Sequence, residues 1–351
     1  MRIKELTYKW MNWSVSGLQF DKVNLIVGKN AVGKSRTIGV LNLLVDIILQ
    51  RKEASLYDSV VYKIVFSVDE DSELIYEFTY ANGLVVFESL KDNKGREYIF
   101  RNPSQTKLYG EIVNPPSNKL AISVRRDVIT YPEIEDIVTW AERYYNVRFN
   151  AITPSVVNGM SSMNLTPYRE NLISMFEVLD EKARRGIIKD MNSLGYPIEK
   201  LDVTKLTNLK ILNVKEKGID MVLWEDALST GMLRALYLIV FVYYISVRDE
   251  KGKTIVIDDF CEGIDYDRAI KLGKYLYQYC LANGIQLVAA SNDNFLMDVV
   301  DVKYWNILQR NGDAVTAINI HNNPALFEKF DFTGLSNFDL FSSDFIARYK
   351  K

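Results

Sequence analysis

Residues 22–48 read KVNLIVGKNAVGKSRTIGVLNLLVDII: an apolar run, a glycine-bearing loop and a helical pattern without a break. Lys22 to Val27 has the near-continuous hydrophobicity of a strand buried on both faces. From Ser35 onward Ile38, Leu41, Leu44, Val45 and Ile48 recur at helical spacing. The loop between them, Gly28 to Ser35, fits G-x-x-x-x-G-K-[ST]. Such a loop turns backbone N–H groups inward around phosphate oxygens, and the helix behind it points its positive end at them. Gly28, Asn30, Gly33, Lys34, Ser35 and Arg36 are the candidate phosphate-site residues, with Lys34 reaching the β- and γ-phosphates and Ser35 a metal ligand.

A phosphate loop of this kind needs a second carboxylate at the end of another parallel strand. Thr254 to Asp258 (TIVID) is such a strand, and Asp258 and Asp259 stand where it exits. Asp258 is the second candidate metal ligand, behind Ser35, and Asp259 would face the attacking water. Upstream, Leu228-Ser229-Thr230-Gly231 opens a long apolar helix. Ser229 can cap that helix through its hydroxyl. The same geometry aims the helix dipole and free N–H groups at an anion. Because the phosphate loop already closes its own site, this second tip is expected to serve the nucleotide of a second subunit.

The order of these elements matches a known group of proteins. GKNAVGKS as Walker A, LSTGMLRAL as signature and TIVIDDFCEGID as Walker B running into a D-loop make the chain similar to ABC-type ATPases of the RecF/SMC and OLD-like group, particularly those of bacterial defence islands. The resemblance implies an α/β head with a mixed, mostly parallel sheet, an antiparallel β subdomain and a helical lid insertion. It further implies a homodimer, or a higher oligomer of dimers, holding two molecules of ATP with Mg2+. In that arrangement Ser229 and Gly231 touch the γ-phosphate across the interface, and Asp265 belongs to the D-loop. A separate protein effector, nuclease or toxin-like, and a role in antiviral defence are implied as well. Direct action on DNA, as in RecF/SMC-like maintenance, and an ATP-holding scaffold with little turnover are the alternatives.

Two residues depart from the group's pattern. Asp259 stands where the group carries a glutamate, one methylene longer. Asn292 stands where a switch histidine is usual, and an amide can hydrogen-bond a γ-phosphate without carrying charge. Both departures point to slow turnover. Glu262 has two readings, a replacement for the missing carboxylate or, more simply, a turn acid.

Around these motifs the chain divides into an N-terminal lobe with an antiparallel meander (1–130), a helical insertion (131–213), a C-terminal lobe (214–320) and an aromatic-rich tail (321–351). The meander rests on alternating runs from Val60, Glu73 and Leu84, with Asn82-Gly83 as a tight-hairpin signal. Residues 104–117 read as a loop. The insertion is helical in pattern and broken at Thr153-Pro154 and Thr166-Pro167.

Composition narrows the function classes. The 351 residues are 48% hydrophobic and 25% charged, with a net charge of −2, so no global positive field advertises nucleic acid. Two cysteines, Cys261 and Cys280, give no disulfide framework and suit a reducing cytoplasm. A single histidine, His321, rules out histidine-rich metal sites. Leu236 to Ile245 is too short for a bilayer at ~20 residues, so no membrane partner is expected.

Weaker features carry two readings each. Arg125-Arg126 and the set Lys182, Arg184, Arg185 and Lys189 are either phosphate-tracking faces or solvated helix surface. Tyr8, Trp10 and Trp13 either stack on a base or pack the core. The phenylalanine-dense tail, 327–345, either docks a partner or folds back.

Overall fold

The computed structural model describes residues 1–52, 58–148, 157–158, 172–206, 209–248, 252–261, 263–342 and 345–346. Its first elements are the hairpin β1 (Arg2–Trp10) and β2 (Trp13–Gln19), the strand β3 (Val23–Val27) and the helix α1 (Lys34–Ile48). A meander follows: β4 (Val60–Ser67), β5 (Glu73–Ala81), β6 (Leu84–Asp92), β7 (Glu97–Arg101), β8 (Thr106–Leu108) and β9 (Glu111–Val113). Next come α2 (Ala121–Val124), α3 (Pro132–Glu142), β10 (Tyr144–Arg148) and β11 (Val157–Asn158). Helices α4 (Leu172–Glu177) and α5 (Glu181–Ser193) precede β12 (Ile198–Leu206), β13 (Leu209–Glu216) and β14 (Val222–Trp224). The remainder alternates: α6 (Thr230–Val247), β15 (Thr254–Asp258), α7 (Tyr266–Ala282), β16 (Gln286–Ala290) and α8 (Asn294–Val299). It closes with β17 (Trp305–Asn311), β18 (Ala314–Ile318), α9 (Pro324–Asp331) and α10 (Asn337–Ser342).

Among the described residues one sheet runs β10-β15-β16-β3-β17-β18-β2-β1-β4-β5-β6-β7-β8-β9. The first five strands are mutually parallel, β18 joins β2 in parallel, and the other neighbours are antiparallel. The expected mostly parallel sheet is therefore corrected: parallel pairing is confined to the run from β10 to β17 and the joint of β18 with β2. The physical reason is connectivity, since short hairpins join β4 to β9 and allow only antiparallel neighbours.

The parallel strands are covered on both faces. Leu25, Val27, Ile255, Ile257, Leu287 and Ala289 enter a core with α6 and α7, while Ile26, Val256, Val288 and Ala290 enter the other with α1 and α3. Helix α6, apolar enough for a membrane by length and composition, is the central helix of the first core. Two hairpin turns in the meander use left-handed residue pairs, Asn82-Gly83 as the sequence predicts and Tyr109-Gly110 where it does not. The second pair folds part of 104–117, read as a loop, into β8 and β9.

The insertion is also less helical than its pattern implies. Strand β10 lies inside 131–213 and pairs in parallel with β15, from Tyr144 against Thr254 to Arg148 against Asp258. Strands β12 and β13 form a hairpin in a second sheet with β11 and β14. The breaks at Thr153-Pro154 and Thr166-Pro167 lie outside the described residues. The tail folds back: Leu326, Phe327, Phe330 and Leu340 are buried in the first core, and the Asn337 amide donates to the Met297 and Val300 carbonyls at 3.3 and 3.1 Å.

Candidate functional site

Strands β3, β15 and β16 run parallel, so their C-terminal ends open on one edge of the sheet, where ligands of open α/β folds bind. The phosphate loop leaves β3 there. A Cβ on Gly28 would stand 2.6 Å from Val32 Cγ1, so the first turn of the loop admits only glycine without rearrangement. Ala31 (φ 63°) and Gly33 (φ 111°) are left-handed, and Gly33 is the N-cap of α1. These conformations curl the loop over the start of the helix.

Lys34, only 8% exposed, donates from Nζ to the Gly28 carbonyl at 2.7 Å and the Lys29 carbonyl at 3.4 Å. Burial lowers its pKa, while the charges of Asp259 and Asp258 oppose that shift and favour the ammonium. Ser35 Oγ donates to Asp258 Oδ1 at 3.2 Å, which joins the loop to the end of β15. From the end of β16, Asn292 Nδ2 donates to Asn30 Oδ1 at 2.8 Å. The fold thus brings Gly28, Asn30, Gly33, Lys34, Ser35, Asp258 and Asn292 to one place.

Asp259 is exposed and left-handed at φ 53°, a turn that swings its side chain off the line of the strand. The turn is tied to the β16 end by Phe260 N–H to the Ala290 carbonyl at 3.0 Å and by Ser291 Oγ to the Phe260 carbonyl at 3.1 Å. Cys261 is buried beside it, and burial pushes its thiol pKa up, which suits a packing role rather than a nucleophile. Glu262 lies outside the described residues.

Arg36 turns away from the phosphate loop and stacks on Trp13, its guanidinium carbon 3.8 Å from the ring centroid. Together with Tyr8, Trp10, Gly39, Val40, Leu43 and Val60 the pair lines a cavity of about 310 Å³ along the first turns of α1. Tyr8 itself packs on Trp13 and Tyr62, so the aromatic cluster is partly core, as one of its two readings holds.

Ser229 and Gly231 stand at the tip of α6. Ser229 is exposed and accepts from the Met232 N–H at 3.3 Å, a cap that leaves its hydroxyl proton free to point outward. Gly231 packs against the turn at Gly263 and Ile264 rather than against the phosphate loop. Asp265 caps α7 by accepting from the Arg268 N–H at 3.2 Å.

One residue at the site escaped the motif reading. Arg310, at the end of β17 beside β3, donates to the Ala31 carbonyl at 3.2 Å and the Gly312 carbonyl at 2.8 Å, pinning the loop crown from the side opposite Asn292. Nothing local in its sequence distinguishes it; only the strand order does. Three of the six residues in the two basic clusters, Arg126, Arg184 and Arg185, are engaged with neighbours. Arg126 pairs with Glu135 and Glu142 at 2.5 and 2.7 Å, and Arg185 pairs with Glu181 at 3.2 Å. Arg184 donates to the Glu177 carbonyl at 2.9 Å.

An Smc head bound to the C-winged helix domain of ScpA superposes with a TM-score of 0.56 at 14% identity, over 91% of this chain and 97% of that one. The chain has the Smc-head fold. A second Smc head, with an extended coiled coil and bound to the C-terminal domain of ScpA derived from Pyrococcus furiosus, gives 0.53 at 13% identity, over 94% and 99% of the two chains. No protein-family model matches the head described here, and no curated protein sequence matches it. At these identities the likeness is one of fold, and it meets the expectation of an SMC-type head at that level.

Proposed function

We propose that this head binds ATP with Mg2+ and hydrolyses it slowly as a head-to-tail homodimer. The observation that carries the reading is the meeting of Lys34, Ser35, Asp258 and Asn292 at the C-terminal edge of three parallel strands. Ser35 Oγ and Asp258 Oδ1 are hard oxygen donors of the kind that Mg2+ takes sparingly from a protein while keeping waters and phosphate oxygens. Held by Ser35 and Asp258, such an ion would supply neutralisation of the charge on the phosphates. Lys34 holds the β- and γ-phosphates, and Asn292 exchanges Asn30 for a γ-phosphate oxygen. The aromatic cavity along α1 takes the base, with Arg36 and Trp13 offering flat faces and Trp13 Cζ2 4.0 Å from where a Cβ on Gly33 would stand. The outward tip of α6 serves the nucleotide of the second copy.

Slow turnover follows from Asp259. A carboxylate one methylene short leaves the attacking water about 1 Å from its best position, and an error of that size costs up to ~10²-fold. Lengthening the side chain is expected to recover part of this loss. Asp259→Glu raises kcat roughly tenfold at unchanged KM, measured by phosphate release under saturating ATP. An Asp259→Glu protein no faster than its parent, or a parent already above ~10 s⁻¹, refutes the role given to Asp259.

On this reading ATP closes two heads, and the closed state is transmitted to a separate protein effector, of the nuclease or toxin type that the motif resemblance implies for defence-island ATPases. The ScpA domains seated on the two Smc heads are precedent for a protein partner on this fold. Balanced charge and the engaged arginines weigh against a broad DNA-binding face. Salt-dependent DNA binding by the ATP-bound protein is the direct check, and a steep slope favours the DNA-maintenance alternative instead.

A further inference from the structure

Three segments distant in sequence meet at the tip of α6. A Cβ on Gly231 would stand 3.0 Å from the Gly263 carbonyl oxygen, 3.5 Å from Ile264 Cα and 3.5 Å from the Tyr196 hydroxyl oxygen. Gly263 is left-handed at φ +74°, and a Cβ there would stand 3.0 Å from Arg234 Nη1. The helix tip and the turn that follows Asp259 therefore approach as closely as glycine permits.

Tyr196 brings in the insertion. It is 4% exposed and follows Gly195 in the turn after α5. The Arg268 guanidinium lies 4.4 Å from its ring centroid. Arg268 donates to the Gly195 carbonyl at 3.1 Å and to Asp265 Oδ2 at 2.9 Å. One planar cation thus holds the insertion turn, the D-loop acid and the first turn of α7 together. Helix α5 is anchored to the same two helices further along, where Asp190 accepts from the Tyr243 hydroxyl at 2.9 Å and the Tyr275 hydroxyl at 2.8 Å.

We propose that Arg268 is a positioning residue for the ATP reaction: by clamping Gly195-Tyr196 onto the start of α7 it sets the distance between the α6 tip and the Asp259 turn. Tip and turn then move as one body, so that docking of the tip on a second copy and placement of the attacking water are coupled. The insertion, joined at the same point, is the handle through which a bound partner shifts both. This inference rests on the ATP-dimer reading above.

The test uses the full chain and the variants Arg268→Ala, Arg268→Lys, Tyr196→Leu and Tyr196→Phe. Arg268→Ala and Tyr196→Leu are expected to lower kcat and the ATP-dependent dimer association constant about tenfold each, with KM and single-head ATP affinity within about threefold of the parent. Combining the two costs no more than either alone, because each breaks the same clamp. Arg268→Lys behaves like Arg268→Ala, since an ammonium cannot serve three partners in one plane. Tyr196→Phe keeps the ring and retains at least half the turnover. A parent protein that neither binds nor hydrolyses ATP overturns the function itself. A parent that does both, with Arg268→Ala equal to it in kcat and dimerisation, overturns the clamp alone. A variant whose kcat falls only in step with its ATP affinity overturns it as well.

Discussion

Lys34→Ala is expected to weaken MgATP binding by roughly 10² to 10³-fold and to remove the thermal stabilisation that saturating ATP gives the parent. The size of the effect comes from burial. Nζ sits almost out of water against two carbonyls of its own loop, and the charges of Asp258 and Asp259 oppose the loss of its proton. A cation held in this way interacts with a phosphate at low effective dielectric, where truncation of one partner costs about 2–5 kcal/mol. Without nucleotide the same change is mild, because it also removes a charge that burial disfavours. The signature is therefore a variant that melts close to the parent alone and fails to gain stability with ATP. Calorimetric titration and paired melting curves read both halves. Parent-like ATP affinity in Lys34→Ala would remove the phosphate loop from the mechanism.

The second large effect lies far from the site. Glu88 on β6 is fully buried, and its carboxylate accepts from the Tyr76 hydroxyl at 2.9 Å, the Ala121 N–H at 2.7 Å and the Ile122 N–H at 3.1 Å. Arg101 stands 3.9 Å away and is itself held by the Lys119 and Pro116 carbonyls. Burial pushes the Glu88 pKa up, and these partners pull it back down. Glu88→Ala strands three donors in the core at once and is expected to cost about 3–5 kcal/mol. Glu88→Gln keeps one acceptor and turns the other into a donor facing a donor, for about 1–3 kcal/mol. Urea denaturation followed by tryptophan fluorescence measures both. Equal midpoints for the parent and Glu88→Ala would show that the three donors find other partners.

The contrast between these two sites explains what could be read from the chain. The phosphate loop is legible because its chemistry is local: strand, glycines, lysine and helix follow each other within 27 residues. The β15 acids are legible because a short aliphatic run ending in Asp258-Asp259 has little other use beside such a loop. Glu88 is not legible, since a glutamate in an alternating strand looks solvent-facing until α2 arrives from 33 residues away. The β10 strand, YYNVR, was hidden by the helical pattern on either side of it, and only its register against β15 makes it a strand. Arg268 and Arg310 carry no motif; each matters through segments 73 and 279 residues distant.

Helix α6 has a consequence of another kind. It is apolar on nearly every side; α4 and α5, which pack on it, are encoded before it, while the rest of its core, β15, α7 and β16, is encoded after it. During synthesis this segment leaves the ribosome some 40 residues before its cover is complete, a gap of roughly 2–8 s at cellular elongation rates. For that interval one side of the rod has only the earlier helices for company, and its remaining apolar surface stays open until the later segments emerge.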